Sequence, residues 1–290
     1  MNLEQNVVTT VEERQINIDG LSIRYLQAGQ DGFPLVLLHG TGESAIDWSW
    51  VIPNLADNYR VYAPDFPGSG GSTKPTREYS LEFFTQFAIN FLNALAIEQA
   101  VLVGNSLGGL IALRIASSHP QRVAALGLVD SAGLGEAVNP LLSHLTIPLY
   151  GEIALAGCKT PIGASLRTRS RAALQFAHPG QIHSAWIAEQ EHLSQMPGFL
   201  EATLSSLRAQ LTPLKQHAVM VDVLPQLQMP TLIVWGADDL IFPKQQAQAA
   251  VERIPQAYLR LIPDCGHIPP LERPEQFTAA LREFLTKINL

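Results

Sequence analysis

Gly104-Asn-Ser-Leu-Gly108 sets a serine between two glycines, each two positions away. That spacing has a chemical use. A serine held in a tight, strained turn needs neighbours without a Cβ, so that a strand and a helix can close beneath it. Ser106 Oγ then stands at a helix N-terminus, where backbone N–H groups and the helix dipole favour a developing oxyanion. A free hydroxyl is a weak nucleophile near neutral pH, so the serine needs a base. Of the eight histidines, His267 in Pro263-Asp-Cys-Gly-His-Ile-Pro-Pro270 follows the last apolar run and precedes the closing helical pattern. The base needs an acid to hold its tautomer and stabilise the imidazolium. Trp235-Gly-Ala-Asp-Asp-Leu-Ile-Phe-Pro243 offers Asp238 and Asp239 after another apolar run, and Asp130 is the rival, with capping of the next segment as its bland role.

An oxyanion also needs two donors, each typically worth about 2.7–4 kcal/mol in the transition state. The N–H of Leu107 is one candidate, and the N–H of Thr41, in Leu38-His-Gly-Thr-Gly-Glu43, is the other. The same loop, continued as Gly40-Thr-Gly42-Glu-Ser-Ala45 with Asp65 downstream, also fits a dinucleotide fingerprint. That rival places the motif after a third strand and leaves the serine turn and the Asp and His loops unused.

These residues need a sheet to position them. Leu35–His39, Val61–Ala63, Ala100–Val103, Ala125–Val129, Thr231–Trp235 and Ala257–Ile262 are almost wholly apolar, as strands covered on both faces must be. Helical patterns separate them: Phe84, Phe87, Ala88, Phe91 and Leu95 share one face, and Phe277, Ala280, Leu281, Phe284 and Leu285 share another. Strand and helix in alternation predict a parallel sheet with right-handed crossovers. Gln15–Ile18 and Leu21–Leu26 alternate with period two around Asp19-Gly20, which predicts an antiparallel hairpin. The stretch from 135 to 225 has helical composition and no convincing strand, and reads as an inserted lid dividing a core of residues 1–134 and 226–290.

The 290 residues are 47% hydrophobic and carry a formal charge of −7, so no broad cationic field exists for nucleic acid or anionic lipid. Two cysteines, Cys158 and Cys265, show no metal spacing, nor do His178, His183 and His192. Met1 to Arg14 lacks an apolar leader, and no run of about 18 apolar residues occurs. The expectation is a cytoplasmic protein acting on a small-molecule substrate, without membrane span, metal or organic cofactor; the sequence leaves its oligomeric state open.

Taken together, these residues resemble the α/β-hydrolase superfamily, from about Asp19 to Leu290. The matching pieces are His39-Gly40, Asp65-Phe-Pro-Gly-Ser-Gly70, the turn around Ser106, Gly236-Ala-Asp-Asp239 and Gly266-His267. Chain order serine, acid, histidine is that superfamily's order. Its acid falls three residues after the glycine of Gly236-Ala-Asp-Asp239, which selects Asp239. The resemblance implies an α/β fold: a mostly parallel eight-stranded sheet with an N-terminal antiparallel hairpin and a helical cap. Haloalkane dehalogenases and epoxide hydrolases carry aspartate where this chain has Ser106. Meta-cleavage C–C hydrolases share the Gly-Asn-Ser start, but typically have a Gly-Pro-Gly loop and a tryptophan after the histidine, where this chain has Gly42-Glu43-Ser44 and Ile268.

The expected activity is therefore that of a carboxylesterase-like serine hydrolase acting through an acyl-enzyme. Ser106 attacks, His267 oriented by Asp239 takes the proton, and the N–H groups of Thr41 and Leu107 hold the oxyanion. A cofactor-free C–C hydrolase or a haloperoxidase-like enzyme is the alternative. A receptor or scaffold would need a disabled triad, and here all three positions are filled. In the lid, Arg167, Arg169 and Arg171 could meet a substrate carboxylate but read first as a solvated helix face, Phe176, Trp186 and Leu193 read as pocket lining or packing, and the default substrate is an apolar ester.

Overall fold

The computed structural model describes residues 10–290, so the first nine residues of the polar opening segment lie outside it. β1 (Glu12–Ile18) and β2 (Leu21–Ala28) form the expected hairpin, and the turn residues Asp19 and Gly20 have φ of 52° and 82°. Two successive positive φ values are what a two-residue type I′ turn requires. β3 (Phe33–Leu38), β4 (Tyr59–Pro64), β5 (Ala100–Asn105), β6 (Val123–Val129), β7 (Thr231–Gly236) and β8 (Ala257–Ile262) complete one eight-stranded sheet in the order β1-β2-β4-β3-β5-β6-β7-β8. Only β1–β2 and β2–β4 are antiparallel; every other neighbouring pair is parallel.

Period-two alternation splits the core across the sheet. Val36 and Leu38 of β3 face the layer holding Phe84, Phe87, Phe91, Leu110 and Ile111. Leu35 and Leu37 face the opposite layer, with Trp48, Ile52, Phe277 and Leu281. The helices Leu81–Ala94 and Leu107–Ser118 cover the first face and Pro274–Lys287 the second. β8 departs from expectation: its side chains are half-exposed up to Leu261, because the strand is the sheet's outer edge.

Strand order decides where a ligand can sit. From β3 the chain moves one way to β4, then crosses back to place β5 on the other side of β3. The carboxyl ends of β3 and β5 therefore diverge, leaving the crevice where open α/β sheets bind ligands. The Gly40–Glu43 loop leaves β3 there, and Ser106 leaves β5. A single 3₁₀ turn, Ala45–Trp48, follows that loop in place of the long helix a dinucleotide site uses.

Between β6 and β7 the chain leaves the sheet for the helices Tyr150–Gly157, Pro161–Gln175, Ser184–Gln195 and Phe199–Arg208. Leu155, Leu193, Phe199, Leu200 and Leu204 give this insertion its own small core. Phe176 and Trp186 meet edge to face at 5.0 Å and pack with Ile268, so these aromatics join the insertion to the histidine loop. No helix among the described residues is long and apolar enough to cross a membrane.

Candidate active site

β5 ends at Asn105 and a helix begins at Leu107, so the turn between them is one residue wide. Ser106 takes φ 54° and ψ −116°, a conformation costing about 1–3 kcal/mol for a residue with a Cβ. The surroundings hold it there. Its N–H donates to the Val129 carbonyl at 3.0 Å, and its carbonyl accepts from the N–H groups of Leu110 and Ala132, both at 3.1 Å. The flanking glycines are required by contact distance. A Cβ on Gly104 would lie 2.1 Å from the Gly108 carbonyl carbon, and one on Gly108 would lie 2.1 Å from the Leu38 carbonyl oxygen.

His267 is 3% exposed. Its Nδ1 lies 2.9 Å from Asp239 Oδ2, while Asp239 Oδ1 accepts the Ile241 N–H at 2.7 Å. Against an ionised carboxylate Nδ1 carries the proton, which leaves Nε2 free to accept one. Asp238 is exposed, so of the two neighbouring aspartates only Asp239 meets the ring. The backbone at 267 is tied on both sides: the His267 N–H donates to the Gln175 carbonyl at 2.6 Å, and Asn105 Nδ2 donates to the His267 carbonyl at 2.9 Å. Asn105 also donates to the Val129 carbonyl at 3.2 Å, so one amide joins the serine turn, the end of β6 and the histidine loop. In the sequence, Asn105 stood only as the second letter of a motif.

Asp130 is fully buried with φ 41°. Its Oδ1 accepts the Gly236 N–H at 2.9 Å, and its Oδ2 has no partner among the described residues. It caps nothing in the following segment. Atoms of Asp130, Asp239 and His267 lie within 4.8 Å of one another, a spacing that residue types alone would allow a cation to share, although the His267–Asp239 hydrogen bond already satisfies two of the three. Burial, and after it the negative charge of Asp239, pushes the Asp130 carboxyl well above the ordinary carboxylate range. The two carboxyl groups therefore differ in setting: Asp130 lies wholly buried behind Asp239, whose Oδ2 meets the imidazole.

The Gly40–Glu43 loop lies against the serine: a Cβ on Gly40 would stand 3.2 Å from Ser106 Cβ. His39, buried beneath it, fixes the peptide that carries the Thr41 N–H. The Phe66 N–H donates to His39 Nε2 at 2.9 Å, so the proton sits on Nδ1, which donates to the Gly40 carbonyl at 2.8 Å. Burial pushes the His39 pKa down, which keeps that pattern in its neutral form. Since C=O and N–H of one peptide point oppositely, anchoring the Gly40 carbonyl fixes the direction of the Thr41 N–H. That N–H donates to no protein acceptor among the described residues. Leu107, first residue of its helix, has no intrahelical acceptor either. A cavity of about 10 Å³, room for one water, touches Gly40, Thr41 and Leu107.

The insertion's basic residues are not the solvated face that their spacing suggests. Arg169 is exposed, but Arg167 is nine-tenths buried and Arg171 is largely covered. Arg171 Nη2 pairs with Glu43 Oε1, which also accepts from Gln175 Nε2 at 2.9 Å, and Glu43 Oε2 accepts from Gln190 Nε2 at 2.6 Å. Arg167 Nη1 donates to Gln190 Oε1 and Ser194 Oγ, each at 3.1 Å, while its Nη2 is buried without a partner among the described residues. Burial lowers the Arg167 pKa to about 9. Polar residues facing a polar loop leave the same sequence trace as polar residues facing water, so nothing in the pattern distinguished them.

Comparison with known proteins agrees with the fold. The chain is 32% identical over 290 aligned residues to 2-hydroxy-6-oxo-6-(2'-aminophenyl)hexa-2,4-dienoic acid hydrolase of Metapseudomonas resinovorans, covering 95% of this chain and 91% of that one. It is 31% identical over 275 residues to the dihydrolipoyllysine-residue acetyltransferase component of the acetoin cleaving system of Pseudomonas putida, covering 94% of this chain and 69% of that one. Among solved structures, a serine hydrolase involved in carbazole degradation superposes with a TM-score of 0.77 at 29% identity, covering 96% of this chain and 99% of that one. Residues 35–280 match the model of the Alpha/beta hydrolase family, and the chain belongs to that family.

Proposed function

We propose that this protein is a serine hydrolase that cleaves a carbon–carbon bond in a 2-hydroxy-6-oxo-hexa-2,4-dienoate type of acid. Ser106 Oγ attacks the ketone carbon while His267 Nε2 accepts its proton, and Asp239 holds the ring. The N–H groups of Thr41 and Leu107 carry the oxyanion. The 2-hydroxyl proton first moves to C5, giving the 2,6-dioxo tautomer. Collapse of the Ser106 adduct then breaks C5–C6, whose electron pair passes through the C3=C4 alkene onto the C2 oxygen, and the resulting dienolate takes the proton from His267. Water, deprotonated by the same nitrogen, then releases the acyl group from Ser106.

The observation that carries this choice of substrate is Arg167. The expected apolar lid with no charged anchor is replaced by a buried guanidinium whose partners are all neutral, with one nitrogen unpaired. A buried cation of that kind favours an anionic ligand. The Metapseudomonas relative is named for an acid of this class. Ester hydrolysis is the second reading, favoured by Gly42-Glu43-Ser44 and Ile268, which depart from the meta-cleavage pattern. The deciding measurement is kcat/KM for a synthetic 2-hydroxy-6-oxo-dienoate against p-nitrophenyl acetate, in the wild type and in Arg167→Met. A preference of at least tenfold for the dienoate, lost in Arg167→Met through KM, supports the acid reading; a preference for the ester in both proteins overturns it.

A further inference from the structure

The loop that carries the Thr41 donor is held from two directions. From the core, His39 anchors the Gly40 carbonyl, and Asp65 Oδ1 accepts the Ala45 N–H at 2.7 Å. Residues 41 to 43, between those anchors, are gripped by the insertion. Arg171 Nη2 reaches the Thr41 carbonyl at 3.4 Å as well as pairing with Glu43, and Gln210 Nε2 donates to Thr41 Oγ1 at 2.9 Å. Gln175 and Gln190 complete the shell around the Glu43 carboxylate. Gly42, at φ 71°, lets the guanidinium groups approach: a Cβ there would meet Arg171 Nη1 at 3.1 Å and Arg167 Nη2 at 3.2 Å.

We propose that the insertion assembles the oxyanion hole, with Arg171 and Glu43 as positioning residues that hold the loop in the shape aiming the Thr41 N–H at the reacting carbonyl. The proposal rests on the serine-hydrolase reading above, whichever bond is cleaved. Two features separate this from ordinary packing. A buried ion pair adds little net stability over an apolar pair of the same size, because desolvation offsets its attraction, so stability alone does not account for this one. The loop also has no regular structure of its own between Gly40 and Ser44, so its peptide planes take their orientation from whatever their polar groups meet. When the insertion is seated, Arg171 holds the Thr41 carbonyl, in the peptide that follows the donor's own, so that with His39 on the Gly40 carbonyl both peptides flanking the Thr41 Cα are held before the substrate carbonyl becomes charged, which is where electrostatic preorganisation acts.

The test uses the full chain and a fluorophosphonate, whose reaction with Ser106 passes through an oxyanion. Arg171→Met and Glu43→Gln should each slow labelling, and lower kcat, by about 10- to 100-fold, the loss expected when one donor is misplaced. KM should stay within about threefold, since the acid anchor Arg167 is untouched. The double variant should be no slower than the slower single one, because each removes the same grip. Arg171→Lys should recover part of the rate. Lys159→Ala, which removes an exposed ion pair to Glu201 elsewhere in the insertion, should label like the wild type. If Arg171→Met or Glu43→Gln fails to fold, Gln210→Met removes the separate contact to Thr41 Oγ1 and should show a smaller loss in the same rate constant. Labelling of these variants within twofold of wild type, or a rise in KM with kcat unchanged, overturns the proposal alone. A wild type that does not label refutes the serine-hydrolase reading itself.

Discussion

Replacing Asp130 by Asn should stabilise the protein increasingly as pH rises, with a slope set by one proton. In the unfolded chain an aspartate loses its proton near pH 3.9. In the folded chain burial and the Asp239 charge keep Asp130 protonated to higher pH. Above about pH 4 folding must therefore take up a proton, and its free energy becomes less favourable by about 1.4 kcal/mol per pH unit until the folded group itself titrates. Asn has no proton to take up, so the Asn variant escapes that slope, while every other titrating group is common to both proteins and cancels. With about 2.1 cal/mol/K per residue of unfolding entropy over 290 residues, the gap in Tm should widen by about 2 °C per pH unit. Below about pH 4 both unfolded and folded Asp130 are neutral, and the gap should close. Scanning calorimetry from pH 4 to 7 reads this directly. Turnover should survive within about fivefold, because Asn keeps the oxygen that accepts the Gly236 N–H and places no charge beside Asp239. A Tm gap that stays flat with pH would mean that Asp130 is ionised when folded, and a collapse in kcat would make Asp130 the acid in place of Asp239.

Further consequences can be checked with single substitutions. Asp239→Asn should lower kcat by about 10⁴-fold by stranding the wrong histidine tautomer, whereas Asp238→Asn, whose side chain is exposed and makes no hydrogen bond to the ring, should change it by less than about twofold; steady-state assays separate them. Ser106→Gly should abolish turnover yet keep or raise Tm by up to about 3 °C, since relief of about 1–3 kcal/mol of strain outweighs the backbone entropy of glycine; Ser106→Ala, which keeps the strain, should not gain. Gly108→Ala should cost folding outright, visible as loss of soluble protein, because its Cβ would sit 2.1 Å from a main-chain oxygen.

The sheet was readable because each buried strand is apolar on both faces, and the hairpin because only Asp19-Gly20 interrupts its alternation. The residues expected to act were those whose backbone setting is visible locally: Ser106 by its glycines, Asp239 and His267 by the turns they share with strand ends. What escaped was polar pairing between distant segments. Glu43 and Arg171 lie 128 positions apart and each looks like a surface charge. Asn105 and His39 act through main-chain carbonyls, which leave no mark on any side-chain pattern. β8 looked buried because Leu259 and Leu261 are apolar, and position at the sheet edge, which no local pattern records, made the difference.

The hollow beside Gly40, Thr41 and Leu107 has about 10 Å³, room for one solvent molecule. On the reading proposed above, a dienoate could reach it only if the insertion shifted, and release of the acid and acyl fragments would need the same shift. Gatekeeping of this kind places a breathing motion in series with the chemistry at both ends of the cycle. Solvents that thicken the medium should then slow turnover of a dienoate even where the bond-breaking step is fast, and loosening the insertion should speed release while it spoils the stabilisation of charge beneath it.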